Sequence, residues 1–379
     1  MTAEAVLTNA HIVLADEIIA GSLLIRDGKI ADISHDNSAA GEDMAGDFVI
    51  PGLVELHTDH LEGHYAPRPR VRWNPIAAVL AHDAQIATAG ITTVFDALRI
   101  GMDDESEVTA DDMRKLADAI EDSLRADRLR ADHFIHLRCE VSAGDCQHGF
   151  SYFDGDKRVR LVSLMDHAPG QRQFVSLDAY AAYYKRKLKL TDEQFMALCE
   201  RRMMDSAKNS PGNRDAIVGA CHARGIVLAS HDDATVEHVE EAAAQGIRIA
   251  EFPTTADAAK ASSKAGLGVL MGAPNVMRGG SHSGNVSARA LAEDGVLDIL
   301  SSDYIPFSLI QAAFFLGESV DGISLPKAVA MVSKNPAEAV GLTDRGAIEI
   351  GRRADLVRVR VDEHVPVVRT VWRQGMRVA

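Results

Sequence analysis

The stretch Val49–His64, VIPGLVELHTDHLEGH, decides how the rest of this chain is read. Its largely apolar run Leu53–Leu56 has the look of a buried strand and ends in His57-Thr58-Asp59. Alternate residues on a strand point to the same face. The His57 imidazole and the Asp59 carboxylate therefore leave the strand end side by side, as a divalent cation requires.

Outward from this stretch, apolar runs alternate with helical patterns. Strand 53–57 is followed by a helix over 76–89, closed by Gly90, and by a strand over 91–95. A charged helix over 110–129 precedes strands at 133–139 and 161–165. Residues 178–208 read as an insertion of two helices, followed by a separate helix over 213–224. Strands at 226–230, 247–250, 267–271 and 297–301 then alternate with helices at 235–244 and 255–265, and helices at 308–316 and 325–332 follow. About eight such units predict an α/β fold, a distorted (β/α)8 TIM barrel rather than an open sheet. Both chain ends alternate in strand fashion, around Asp27-Gly28 and in 354–361 and 365–372. They are expected to meet as a small β-sandwich, residues 1–50 plus 345–379, beside a barrel over 51–344.

A chain of 379 residues is long enough for both parts. The start, MTAEAVLTNAHIVLADE, lacks a basic segment before an apolar core, and no window approaches a membrane span. Cys139, Cys146, Cys199 and Cys221 form no CxxC pair, so a reducing cytoplasm is expected. A net charge of −15 argues against a general nucleic-acid binder. An anionic substrate would need local cations, for which Arg68-Pro-Arg70-Val-Arg72 is a candidate cluster.

Barrels of this type carry their active sites at the C-terminal strand ends. The residues just past each apolar run are His57 and Asp59, Glu140, His167, His231 with Asp232 and Asp233, and Asp303. A lone histidine there is ordinarily a hydrogen-bonded surface residue, and a lone aspartate a helix N-cap, a role open to Asp232. Five strand ends with ligand-type residues exceed what such local roles explain. Three imidazoles and three carboxylates suffice for two divalent cations, with Glu140 as the bridge and Asp303 as proton acceptor. Mixed ligation of this kind suits zinc, manganese or iron. His60 and His64 follow on the same loop and are candidates for substrate contact. His82, His222 and His238 fall in helical patterns and read as structural. The run MRGGSHSGN, Met277–Asn285, predicts an oxyanion cradle around Gly280, assisted by Arg278 and His282. Arg172, shortly after His167, joins Arg68 and Arg72 as a candidate anion contact.

On these residues the chain resembles the amidohydrolase superfamily. The resemblance rests on Pro51-Gly52…His57-x-Asp59, on histidines matched to strands five and six, and on an aspartate at strand eight. Lys334-Asn335-Pro336-Ala337, Asp344-Arg345-Gly346 and Ala354-Asp355-Leu356 extend it to the C-terminal part. Longer segments (HTDHLEGHYAPRPRVRW, HLRCEVS, SLMDHAPGQRQF, GAPNVMRGGSHSGNVSA) are similar to the α-D-ribose 1-methylphosphonate 5-triphosphate diphosphatases of the carbon–phosphorus lyase pathway. That resemblance implies a binuclear metal-dependent hydrolase of phosphonate catabolism. It would cleave the α–β phosphoanhydride of a phosphorylated sugar, giving the 5-phosphate and pyrophosphate. It also implies that Glu140 stands where many relatives use a carboxylated lysine. His60 and Gly63 depart from the Asn and Arg expected in the first loop. An amide or cyclic-amide hydrolase on the same scaffold is the alternative, and a homodimer is a further expectation.

Overall fold

The computed structural model of the chain describes residues 4–101, 108–172, 180–181, 190–281 and 284–379. His282 and residues 178–179 and 182–189 of the expected two-helix insertion lie outside the described residues. Strands β1 (Glu4–Val13), β2 (Ile18–Arg26) and β3 (Lys29–Ser34) form an antiparallel meander. Asp27 and Gly28, which join β2 to β3, both have positive φ (51° and 75°), as the tightest hairpin turns require. Strands β4 (Glu42–Asp43) and β5 (Phe48–Pro51) then pair parallel with β1.

Eight strands follow as the barrel: β6 (Leu53–Thr58), β7 (Ile91–Ile100), β8 (Asp132–Glu140), β9 (Val159–Met165), β10 (Val227–His231), β11 (Ile249–Glu251), β12 (Gly268–Gly272) and β13 (Ile299–Ser301). They are hydrogen-bonded in sequence order, every neighbour parallel. Closure between the first and last strands is made by Asp303. Its N–H donates to the His57 carbonyl (3.1 Å), and its carbonyl accepts from Asp59 N–H (3.1 Å). The ligand-type residues of the opening stretch are thus sewn to Asp303 by the backbone itself. Val54, Leu56, Phe95, Leu161, Ala229, Ile249, Leu270 and Ile299 form one buried cluster that also includes Ala337, Val340 and Leu342. Each of the larger side chains contributes about 1.5–3 kcal/mol by burial. The barrel is therefore packed inside, and the ligand-type residues lie beyond this layer at the C-terminal strand ends.

Strands β14 (Leu356–Asp362), β15 (Val365–Arg373) and β16 (Met376–Arg377) return the chain to β5, completing an eight-stranded mixed sheet built from both ends. Gly52 joins the sheet to the barrel. A Cβ there would lie 2.3 Å from Thr92 Oγ1, so only glycine allows the close approach. The Asp132 carboxylate at the start of β8 accepts from Arg345 (2.7 Å), Arg353 (2.6 Å) and Arg373 (3.2 Å), latching the returning chain to the barrel.

Three expectations need correction. The helix before β10 is continuous, Asp192–Arg224, and runs through Pro211. Proline in a helix interior costs about 3 kcal/mol. Here the buried face from Phe195 to Cys221 continues across it, and Asn213 Nδ2 donates to the Val141 and Ala143 carbonyls. Tertiary packing outweighs the break. Strand β7 runs to Ile100, because Asp96 does not end it. Asp96 is buried and bonded to His82 Nε2 and His133 Nδ1, both at 2.8 Å. Lastly, His167 and His231 stand at the fourth and fifth strands, the order that the apolar runs themselves follow. Among the described residues, no helix is long and apolar enough to cross a membrane.

Candidate metal centre

His57, Asp59 and Asp303 each offer a ligand atom, and these atoms lie within 4.8 Å of one another. The buried Glu55 fixes their frame. Its two oxygens accept from His57 N–H and Ser302 N–H, both at 2.6 Å, stapling β6 to the end of β13. Burial pushes the Glu55 carboxyl up to about 7 despite these bonds. Asp303 (φ 54°) and Asp232 (φ 59°) adopt the left-handed backbone that short polar residues tolerate best.

His167, His231 and Asp232 form a second such group. Asp232 Oδ2 lies 3.4 Å from His231 Nε2 and 3.6 Å from His167 Nε2. That oxygen is buried and makes no hydrogen bond among the described residues. The N-cap role open to Asp232 belongs instead to Thr235, whose hydroxyl accepts from His238 N–H. An unbonded buried carboxylate oxygen facing two imidazole nitrogens is the environment that a divalent cation satisfies. The donor set therefore fits a metal.

Glu140 belongs to neither group. Its carboxylate meets His167 Nδ1 at 2.5 Å and accepts from His167 N–H (3.1 Å) and Ser142 Oγ (2.6 Å). The expected bridge thus sits on the His167 side, engaged with that ring. Burial opposes its charge, but His167 and Arg99 outweigh burial and hold the carboxyl at about 2.

The carboxylate that does join the two groups is Glu251, which the sequence reading missed. Fully buried, it faces His57 Nδ1 with Oε1 (3.2 Å) and His231 Nδ1 with Oε2 (3.1 Å). The two rings stack at 5.7 Å with an 18° interplanar angle. Holding both Nδ1–H groups leaves both Nε2 lone pairs for a cation. Glu251 follows the apolar pair Ile249-Ala250, so the rule applied at the other strand ends would have found it. Beside it, His136 spends both nitrogens on the Leu56 carbonyl and Ser163 Oγ (each 2.9 Å), and burial holds it neutral with a pKa of about 3.

The expected substrate contacts are scattered. His60 Nε2 meets the Tyr304 carbonyl (2.5 Å), and His64 Nε2 meets Gln85 Oε1 (3.1 Å). Arg68 lies on an exposed loop. Arg72 packs over the Tyr65 ring and pairs with Asp112 (3.7 Å), which directs its charge to the helix Ala110–Arg125. Arg172 is buried between Asp233 and Glu241 and lines a separate cavity of about 320 Å³ with Arg214 and His238. Arg278 ends the helix Ala273–Arg278. The N–H groups of Gly279 and Gly280 cap that helix on the Val276 and Asn275 carbonyls. Gly280 N–H is thus engaged in the helix cap. The cations nearest the two groups are ones the sequence reading passed over. Arg138 donates to Asp59 Oδ1 (2.6 Å), and Arg99 approaches Glu140 (4.0 Å).

Residues 165–379 match the sequence profile of the amidohydrolase family. The chain is 46% identical over 377 residues to the α-D-ribose 1-methylphosphonate 5-triphosphate diphosphatase of Escherichia coli K12, covering 98% of this chain and all of that one. Among solved structures, N-acetylglucosamine-6-phosphate deacetylase from Pasteurella multocida superposes with a TM-score of 0.63 at 13% identity, over 99% of both chains. Enamidase superposes with a TM-score of 0.63 at 16% identity, over 99% of this chain and 96% of that one. With a profile match over more than half its length and a full-length relative at this identity, the chain belongs to the amidohydrolase family.

Proposed function

We propose that this chain is a metal-dependent diphosphatase. It hydrolyses the α–β phosphoanhydride of α-D-ribose 1-methylphosphonate 5-triphosphate to the 5-phosphate and pyrophosphate, as a step of phosphonate catabolism. The 46% identity to the E. coli diphosphatase along essentially the whole chain carries the reading. The convergence of His57, Asp59, His167, His231, Asp232 and Asp303 on the C-terminal strand ends supports it.

His57, Asp59 and Asp303 would hold one divalent ion, and His167, His231 and Asp232 a second, with Glu140 closing against His167. Zinc, manganese or iron suits these donors. Two such ions supply charge compensation to a phosphoryl centre and lower the pKa of water.

The protein's own groups do the rest. Asp303, at the rim and joined to β6 through its backbone, takes the proton of the attacking water. Oxygen adds to the α-phosphorus, the bond from that phosphorus to the bridging oxygen breaks, and pyrophosphate leaves with the electron pair. Glu251 keeps two imidazoles in the tautomer that presents Nε2, and Glu55 keeps β6 in register with Asp303.

The test is to incubate the purified chain with ribose 5-triphosphate and follow pyrophosphate. Release that stops on chelation is expected; orthophosphate alone, or no product with zinc, manganese and iron each supplied, rejects the reading.

A further inference from the structure

Strands β7 and β8 pair in unbroken register from Thr93↔Asp132 to Ile100↔Cys139. Residues paired across neighbouring strands point to the same face. On the inward face they stack in layers. Phe95 lies against Phe134, with centroids 5.1 Å apart. Ala97 then pairs with His136, and Arg99 with Arg138. His136 packs edge-on against His57 (5.2 Å), which marks this face as the one that carries the centre.

Two arginines are thus paired neighbours near the C-terminal ends of β7 and β8. Like charges directly opposite on adjacent strands are destabilising. Barrel packing does not require the pair. Each Nε is buried and has no partner among the described residues. An unmet buried donor on a charged group is costly. Among the described residues, Arg138 donates to Asp59 (2.6 Å) and Arg99 approaches Glu140 (4.0 Å), and both charges also act on the Glu62 carboxyl.

We propose that Arg99 and Arg138 form a paired guanidinium cradle for the oxygens of a polyphosphate, the recognition element for the charged end of the substrate. The proposal rests on the diphosphatase reading and names the residues that read its substrate class. Guanidinium forks match phosphate geometry and stay charged at any physiological pH. The cradle also answers the charge problem of a chain with a net charge of −15. Arg72 and Arg172 are paired with carboxylates of their own, whereas the Arg99 guanidinium makes no hydrogen bond among the described residues.

The test compares the metal-loaded wild type with Arg99→Met and Arg99→Lys. Binding of inorganic pyrophosphate is measured by calorimetry, bound metal by elemental analysis, and kcat/KM with ribose 5-triphosphate and with the singly charged bis(p-nitrophenyl) phosphate. Arg99→Met should weaken pyrophosphate binding by about ten- to hundredfold, with metal content as in the wild type. It should lower kcat/KM at least tenfold more for the triphosphate than for the diester, and Arg99→Lys should recover part of the loss. Unchanged pyrophosphate affinity in Arg99→Met overturns the cradle, even where the wild type releases pyrophosphate. Parallel loss of bound metal overturns it too, by making Arg99 a support for Glu140. If the wild type releases no pyrophosphate from the triphosphate, the diphosphatase reading fails. The cradle still stands if pyrophosphate binding is lost in Arg99→Met.

Discussion

Replacing Glu251 by Gln removes one oxygen from a carboxylate that accepts from two imidazoles at 3.2 and 3.1 Å. The shape is kept, but the amide offers one acceptor and one NH2. The acceptor can hold one Nδ1–H. The NH2 must face the other ring, which then moves its proton to Nε2 and loses the lone pair that would bind a cation. Removing an outer carboxylate of this kind typically costs ten- to hundredfold in metal affinity, about 1.4–2.7 kcal/mol. Because Glu251 serves His57 of one group and His231 of the other, the loss should appear as one weakened site beside one nearly intact site. The assay is chelator-competition titration of apoprotein with cobalt(II), read from the visible spectrum. Wild-type affinity at both sites in Glu251→Gln would refute the role. Glu251→Ala adds a distinct effect: it strands two buried N–H groups at about 1–3 kcal/mol each, so thermal stability should fall as well.

Asp303→Asn should retain bound metal at the His167 group yet lose about 10²–10⁴-fold in kcat, measured by pyrophosphate release; unchanged turnover removes Asp303 as the base. Burial opposes charge on His133, but Asp96 and Asp83 outweigh it and raise the ring to about 10. A raised histidine stabilises fully below its unfolded value and loses that contribution as pH climbs through its folded one. Wild-type Tm should therefore fall between about pH 6.5 and 10, and His133→Gln should remove that part of the slope. Asp132→Ala breaks the latch to Arg345, Arg353 and Arg373 and should cost about 2–4 kcal/mol in urea unfolding, since it leaves three guanidiniums short of their shared partner.

The barrel was legible because its strand ends are punctuated: apolar runs stop at His57, Glu140, His167, His231 and Asp303. The ligand types at those positions followed from the same punctuation. What escaped were polar residues inside strands. Arg99, His136 and Arg138 interrupt runs that look apolar, and Asp96 looked like a strand end. Their inward placement depends on register between β7 and β8, a long-range property that no single run records. Glu251 directly follows the strand read at 247–250 and was legible by the same strand-end rule, which was not applied there. In the Arg68–Arg72 loop, charge in sequence does not say which carboxylate faces it; Arg72 is paired with Asp112, 40 positions away. Of the glycines after Met277, Gly279 and Gly280 use their N–H groups to cap a helix, a role that sequence does not separate from an anion cradle.

Hydrolysis in ¹⁸O-enriched water followed by ³¹P NMR addresses the proposed chemistry most directly, since it reports which phosphorus receives the water oxygen. With metal-loaded protein and ribose 5-triphosphate, the label should appear on the sugar 5-phosphate and be absent from pyrophosphate. Label in pyrophosphate, or orthophosphate as the released product, would contradict attack at the α-phosphorus and with it the role given to this centre.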